Sequence, residues 1–99
     1  MTEVRVSIGV SGGDLKGLTF YTKDIVLPIQ PFVGMVLRNL VFYKIQAGLY
    51  IDAIAHIREV GYDCVSHILC VRIDNIAISP GELAKDILAD RLPGFVMSQ

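Results

Sequence analysis

All imidazoles and thiols of this 99-residue chain fall within one stretch: His56, Cys64, His67 and Cys70. These are the side chains suited to soft-metal ligation or thiol chemistry. Cys64, His67 and Cys70 follow a C-x2-H-x2-C spacing with His56 upstream. Structural zinc sites usually place two ligands on each of two separated knuckles, which this spacing does not reproduce. Strand geometry divides the groups further, because alternate residues of a strand point to opposite faces and His67 and Cys70 then diverge. One pairing survives. If Leu49–Val60 runs antiparallel to His67–Ile78, with Ile57 against Leu69 and Ala55 against Val71, then His56 lies opposite Cys70 and Asp52 diagonal to Arg72. His56, Cys64, His67 and Cys70 are thus the candidate metal ligands. The competing reading is structural, with cysteine acting as a small, half-buried hydrophobe.

Other reactive patterns are weaker. Ser11-Gly12-Gly13-Asp14-Leu15-Lys16 invites comparison with phosphate loops, but neither Gly-Lys-Ser/Thr nor G-x-G-x-x-G occurs, and a hairpin turn is expected. Asp24, Asp52, Glu59, Asp63 and Asp74 are scattered carboxylates of the kind that populate a solvated surface. No nucleophilic triad is legible, so no catalytic residue and no cofactor is assigned.

The elements that must position these groups follow from periodicity. Val4, Val6, Ile8 and Val10 alternate with Arg5 and Ser7, which predicts a half-buried strand over Glu3–Val10. A second strand is expected over Gly17–Leu27 and a third over Met35–Ile45, both rich in β-branched and aromatic residues. Between them Pro28 and Pro31 frame an extended apolar elbow that belongs at an edge, a corner or a crossover. Leu49–Val60 carries both patterns: Leu49, Ile51, Ala53, Ala55 and Ile57 as a strand face, or Tyr50, Ala53, Ile54, Ile57 and Val60 as a helical stripe ending at Gly61. Leu69, Val71 and Ile73 alternate with Cys70, Arg72 and Asp74, predicting a strand over His67–Ile78. Ser79-Pro80-Gly81-Glu82 reads as a capping box that starts a helix over Pro80–Arg91, with Leu83, Ala84, Ile87 and Leu88 buried. The expected fold is α+β and mainly β. It has about five antiparallel strands in a small sandwich or partly open barrel, one C-terminal helix, and a single domain over residues 1–99.

At this length folding hides roughly 65% of the unfolded chain's surface, a modest core. Yet 53% of residues are hydrophobic and 19% charged, with a mean hydropathy of +0.53, an apolar excess for so small a domain. A membrane helix needs about 20 apolar residues, and the longest uncharged run, Ile25–Leu37, is shorter and interrupted by prolines and a glycine. No signal peptide is visible, and two cysteines point to free thiols in the cytoplasm. A net charge of −1 with scattered Lys and Arg argues against nucleic-acid binding. The apolar excess then points to a subunit interface. The expected function is a non-catalytic interaction or assembly module, self-associating as a homodimer or bound to a protein partner. Leu27, Pro28, Ile29, Pro31 and Phe32 of the elbow are the candidate contact residues. The alternatives are a small-molecule or metal-binding domain and, behind those, a small enzyme.

Overall fold

The computed structural model describes residues 1–98. Strand β1 (Thr2–Gly12) places Val4, Val6, Ile8 and Val10 fully inside the core and turns Arg5 and Ser7 to the opposite face. Burial of side chains of this size is worth roughly 1.5–3 kcal/mol each, so β1 is the natural centre of the sheet. It pairs antiparallel with β2 (Thr19–Leu27) from Thr2 opposite Leu27 to Val10 opposite Thr19. The loop between them contains the expected glycine turn. Gly12 lies at φ 87° and Gly13 at φ 58°, and a Cβ on either would stand within 3 Å of backbone atoms of Ile78 or Glu82. The glycines therefore let this turn press against the start of the helical segment.

On its other edge β1 pairs in parallel with β7 (Ile68–Ile73) and then β8 (Ile76–Ile78). These two form one strand interrupted at Asp74-Asn75, where Asn75 Oδ1 accepts the Gly9 N–H at 3.2 Å in place of a ladder bond. The expected strand over His67–Ile78 is present with that bulge, and Leu69, Val71 and Ile73 face inward. Beyond β7 come β6 (Ala55–Asp63) and β3 (Val36–Leu37), and β9 (Val96–Met97) borders β2, giving the order β3-β6-β7-β1-β2-β9 with β8 beside β1. A separate hairpin joins β4 (Phe42–Gln46) to β5 (Leu49–Asp52). The α+β, mainly β class is as expected. The strand count is higher, at nine among the described residues, and the sheet is mixed because β1 meets β7 and β8 in parallel.

Two expected elements are broken in a way that periodicity hides. Met35–Ile45 splits into β3 and β4 around Asn39, and Leu49–Val60 splits into β5 and β6 around Ile54. Both pivots have left-handed backbone, at φ 58° and 54°. Such a conformation is unfavourable for a β-branched residue like Ile54, and the Asp52 carboxylate holds it by accepting the Ile54 N–H at 2.9 Å. Leu49–Val60 is thus strand, not helix.

The capping-box expectation is corrected. Ser79-Pro80-Gly81-Glu82 forms a β-turn closed by Glu82 N–H to the Ser79 carbonyl (3.2 Å), with Gly81 at φ 86°. Proline followed by glycine at the two central positions suits a type II turn. Helix α1 (Ala84–Arg91) starts later, behind Leu83, with no cap from its own neighbours. Its first amide, Ala84 N–H, donates instead to Asp14 Oδ1 at 2.7 Å, from the glycine turn. Ala84, Ile87 and Leu88 are buried as expected, whereas Leu83 is 43% exposed. Among the described residues no helix is long and apolar enough to cross a membrane. Replacing Asp14 by alanine should cost about 1 kcal/mol, the usual value of a helix cap. Ser79→Ala should cost almost nothing, because only its carbonyl is used; urea denaturation of the two variants checks both.

Candidate interaction surfaces

The four groups of the His/Cys stretch are dispersed. The β6–β7 hairpin does exist, but its register sets Ile57 opposite Ile73, Val60 opposite Val71 and Gly61 opposite Cys70. His56 therefore does not meet Cys70. It pairs with Val36 of β3, and its Nδ1 lies 3.4 Å from Asp74 Oδ2. Two local features set this register. A bulge between Ile57 and Glu59 changes the alternation. The tight turn at Cys64–His67 then fixes the end: Asp63 Oδ1 accepts Val65 N–H at 2.8 Å and Ser66 N–H at 3.3 Å, and His67 N–H returns to the Asp63 carbonyl at 2.8 Å. His67 sits at φ 57°, with Nδ1 3.4 Å from the Tyr62 hydroxyl. Cys64 is exposed at that turn, and Cys70 is half-buried on the outer face; both are free thiols. His67 lines a groove of about 490 Å³ at the sheet end with Arg5 and Tyr62, while Cys70 lines another of about 310 Å³ with Phe20 and Arg72. No three His, Cys, Asp or Glu side chains gather in a metal-binding arrangement among the described residues. Asp52, expected diagonal to Arg72, instead pairs with Arg38 at 2.6 Å.

Four of the five scattered carboxylates have structural work. Arg5 Nε and Nη2 hold Asp24 in a two-point pair at 2.9 and 3.2 Å, which lowers the Asp24 pKa. Asp52 is lowered by the Arg38 hydrogen bond and then by the Ile54 amide. Asp63 is lowered by the Val65 amide and by Ser66. Burial pushes Asp74 up, but the Arg58 hydrogen bond and charge, with the His56 amide, carry it below the usual range. A general acid working near neutrality needs the opposite shift.

Exposed apolar side chains are spread over the surface, Leu18, Val26, Tyr62, Val65, Val96 and Met97 among them, and two groups of them concern the elbow and the β4–β5 hairpin. The elbow between β2 and β3 is anchored by Leu27 and Pro31, which are buried. Between and beyond these anchors Pro28, Ile29, Phe32 and Val33 are exposed, Val33 by 64%. A turn from the Phe32 carbonyl to Met35 N–H (3.0 Å) presents Phe32 and Val33 before Gly34 N–H docks on the Ile57 carbonyl at 2.8 Å. So the elbow closes a corner of the sheet with one set of residues and shows solvent an apolar set.

The second place is the β4–β5 hairpin. Tyr43 stands opposite Ile51, and Ile45 and Leu49 follow on the same side; all four are exposed. The other side carries Lys44 and Tyr50, turned to α1: Lys44 Nζ lies 3.9 Å from Glu82, and partial burial with the Asp90 hydrogen bond raises the Tyr50 pKa. Arg91 fixes the hairpin in place, donating from Nε to the Phe42 carbonyl (2.9 Å) and from Nη1 to the Ala77 carbonyl (3.2 Å); burial lowers its pKa. The sequence offered no signal for this surface, because Met35–Ile45 and Leu49–Val60 each read as one buried element.

The pH dependence follows from the carboxylates. Asp24, Asp52, Asp63 and Asp74 each have a folded pKa below the unfolded value of 3.8, so their contribution is present above that value and lost as pH falls through the folded ones. The urea midpoint should be flat from about pH 7 to 5 and fall steadily below about pH 4. Asp24→Asn together with Asp74→Asn should flatten that fall. Comparisons of the chain with protein-family models, with curated proteins and with solved structures find no match.

Proposed function

We propose that the chain is a non-catalytic interaction module of the cytoplasm that works by associating with a second copy of itself. One observation carries the reading: the protein exposes more surface than its mass warrants, and large hydrophobic side chains stand exposed on it. Its accessible surface is 6058 Å², whereas a compact monomer of 10.9 kDa exposes about 5,600 Å². The elbow and the hairpin face contribute large hydrophobic side chains in clusters, which a monomeric surface rarely carries without a use. Two surfaces are candidates for the contact: the elbow, with Ile29 and Phe32 exposed, Pro28 beside them and Leu27 and Pro31 as anchors, or the hairpin. Two unbonded thiols accord with a reducing compartment.

Sedimentation equilibrium from about 1 to 100 µM should show the average mass rising from 10.9 kDa towards twice that value. A mass fixed at the monomer value across that range overturns the reading.

A further inference from the structure

We infer that β5 is the self-association edge: two copies pair antiparallel through Leu49–Asp52, centred on Tyr50 of each. This rests on the self-associating reading and specifies its contact. The argument starts from backbone hydrogen bonds. Ala53 N–H donates to the Val41 carbonyl at 2.8 Å, continuing the register in which Phe42 faces Asp52, Tyr43 faces Ile51 and Lys44 faces Tyr50. In an antiparallel ladder bonded and non-bonded residue pairs alternate. Ile51 therefore turns its N–H and C=O to β4, and Tyr50 and Asp52 turn theirs outward, where they have no backbone partner among the described residues.

Natural sheets protect an open edge by keeping it very short or by adding charge, proline or a bulge. The main sheet does this in two ways: its border strands β3 and β9 are two residues each, and the stretches of β6 and β2 that they leave uncovered carry Arg58, Glu59 and Asp63, and Lys23 and Asp24. Strand β5 has neither a proline nor a bulge of its own, and its charge is already engaged. It is four residues long, the bulge of the pair lies in the partner strand β4, and its one charged side chain, Asp52, is held by Arg38. An isolated two-stranded hairpin is also only marginally stable, so it gains from a third strand.

A two-fold axis perpendicular to the hairpin requires residues of equal parity to meet. With outward-pointing groups on Tyr50, the register that satisfies them sets Tyr50 against Tyr50 of the other copy and Leu49 against Ile51 twice. Both apolar pairs then lie on the exposed face, and no like charges stand directly opposite one another. The result is a closed four-stranded sheet, β4-β5-β5-β4, an isologous contact that ends at two copies. At the seam itself only Leu49 and Ile51 of each copy add exposed apolar side chains, far from the roughly 800 Å² per partner of a standard interface. The pairing is accordingly weak and concentration-dependent.

Sedimentation of wild type, Ile51→Lys and Phe32→Asp, with circular dichroism as a folding control, tests the contact. Both substituted residues are exposed in the monomer. Ile51→Lys should weaken dimerisation at least tenfold, and Phe32→Asp should leave it within about twofold. Register is read separately by oxidising single-cysteine variants in a Cys64→Ser, Cys70→Ser background. Tyr50→Cys should cross-link at least tenfold faster than Ile51→Cys, because the Cα atoms of a bonded antiparallel pair lie about 5.5 Å apart, within disulfide reach. A wild-type dimer insensitive to Ile51→Lys, or lost in Phe32→Asp, overturns the β5 contact and leaves self-association standing. Equal cross-linking of the two cysteine variants overturns the register. A wild-type monomer at every concentration overturns both.

Discussion

Strand β1 is buried on one face and hydrogen-bonded along both edges, and every other element takes its place from that. Its four inward side chains, Val4, Val6, Ile8 and Val10, need a cover, while Arg5 and Ser7 need none. The sheet is therefore one-sided, and the cover must come from what remains of a short chain: an eight-residue helix, the segment carrying Leu37, Leu40 and Val41, and a proline elbow. None of these pieces is stable alone, since two helical turns lie below the length at which helices persist in water. Each is pinned by a group from elsewhere. Asp14 caps α1 across the sheet, Arg91 ties α1 to β4 and β8, and Lys23 donates to the Pro93 carbonyl at 2.9 Å to hold the segment leading into β9.

Where a single period governs a segment, its structure was legible. β1 and β7 emerge from strict alternation, β2 from its β-branched and aromatic content, and α1 from the spacing of Ala84, Ile87 and Leu88. Segments failed where a local pattern has two physical readings. Ser-Pro-Gly-Glu satisfies both a capping box and a type II turn, and the outcome turns on Gly81 taking a positive φ and on Asp14 supplying the cap from a distant loop. No window around residue 80 contains Asp14. Likewise the bends at Asn39 and Ile54 carry no glycine or proline, so Met35–Ile45 and Leu49–Val60 read as continuous.

The His/Cys stretch shows the same limit from the side of chemistry. Spacing brought His56 to Cys70 only under one assumed register, and a register depends on turn geometry that alternation does not encode. The Asp63 turn moved Gly61 opposite Cys70, and the Asp74 bulge drew His56 and Arg58 to itself. The elbow was found from sequence because two prolines mark it. Its division into anchors and exposed residues was not, since Pro28 and Pro31 are the same residue type and only the sheet decides which one is buried.

The same shortage of chain that makes the cover piecemeal also explains the exposed hairpin. On the main sheet the two border strands are too short to recruit another chain, and the uncovered edges of β6 and β2 carry charged side chains such as Arg58, Glu59, Lys23 and Asp24. The hairpin lies outside that order. One side is committed to α1 through Tyr50 and to Glu82, just ahead of α1, through Lys44, so turning β4 and β5 to hide Tyr43, Ile45, Leu49 and Ile51 would break the Arg91 bond to the Phe42 carbonyl. Fixing the hairpin by its Tyr50 side thus leaves an apolar face and an open edge to the outside. A larger protein would add a strand to close that edge, and in the proposed pairing a second copy of β5 takes that place.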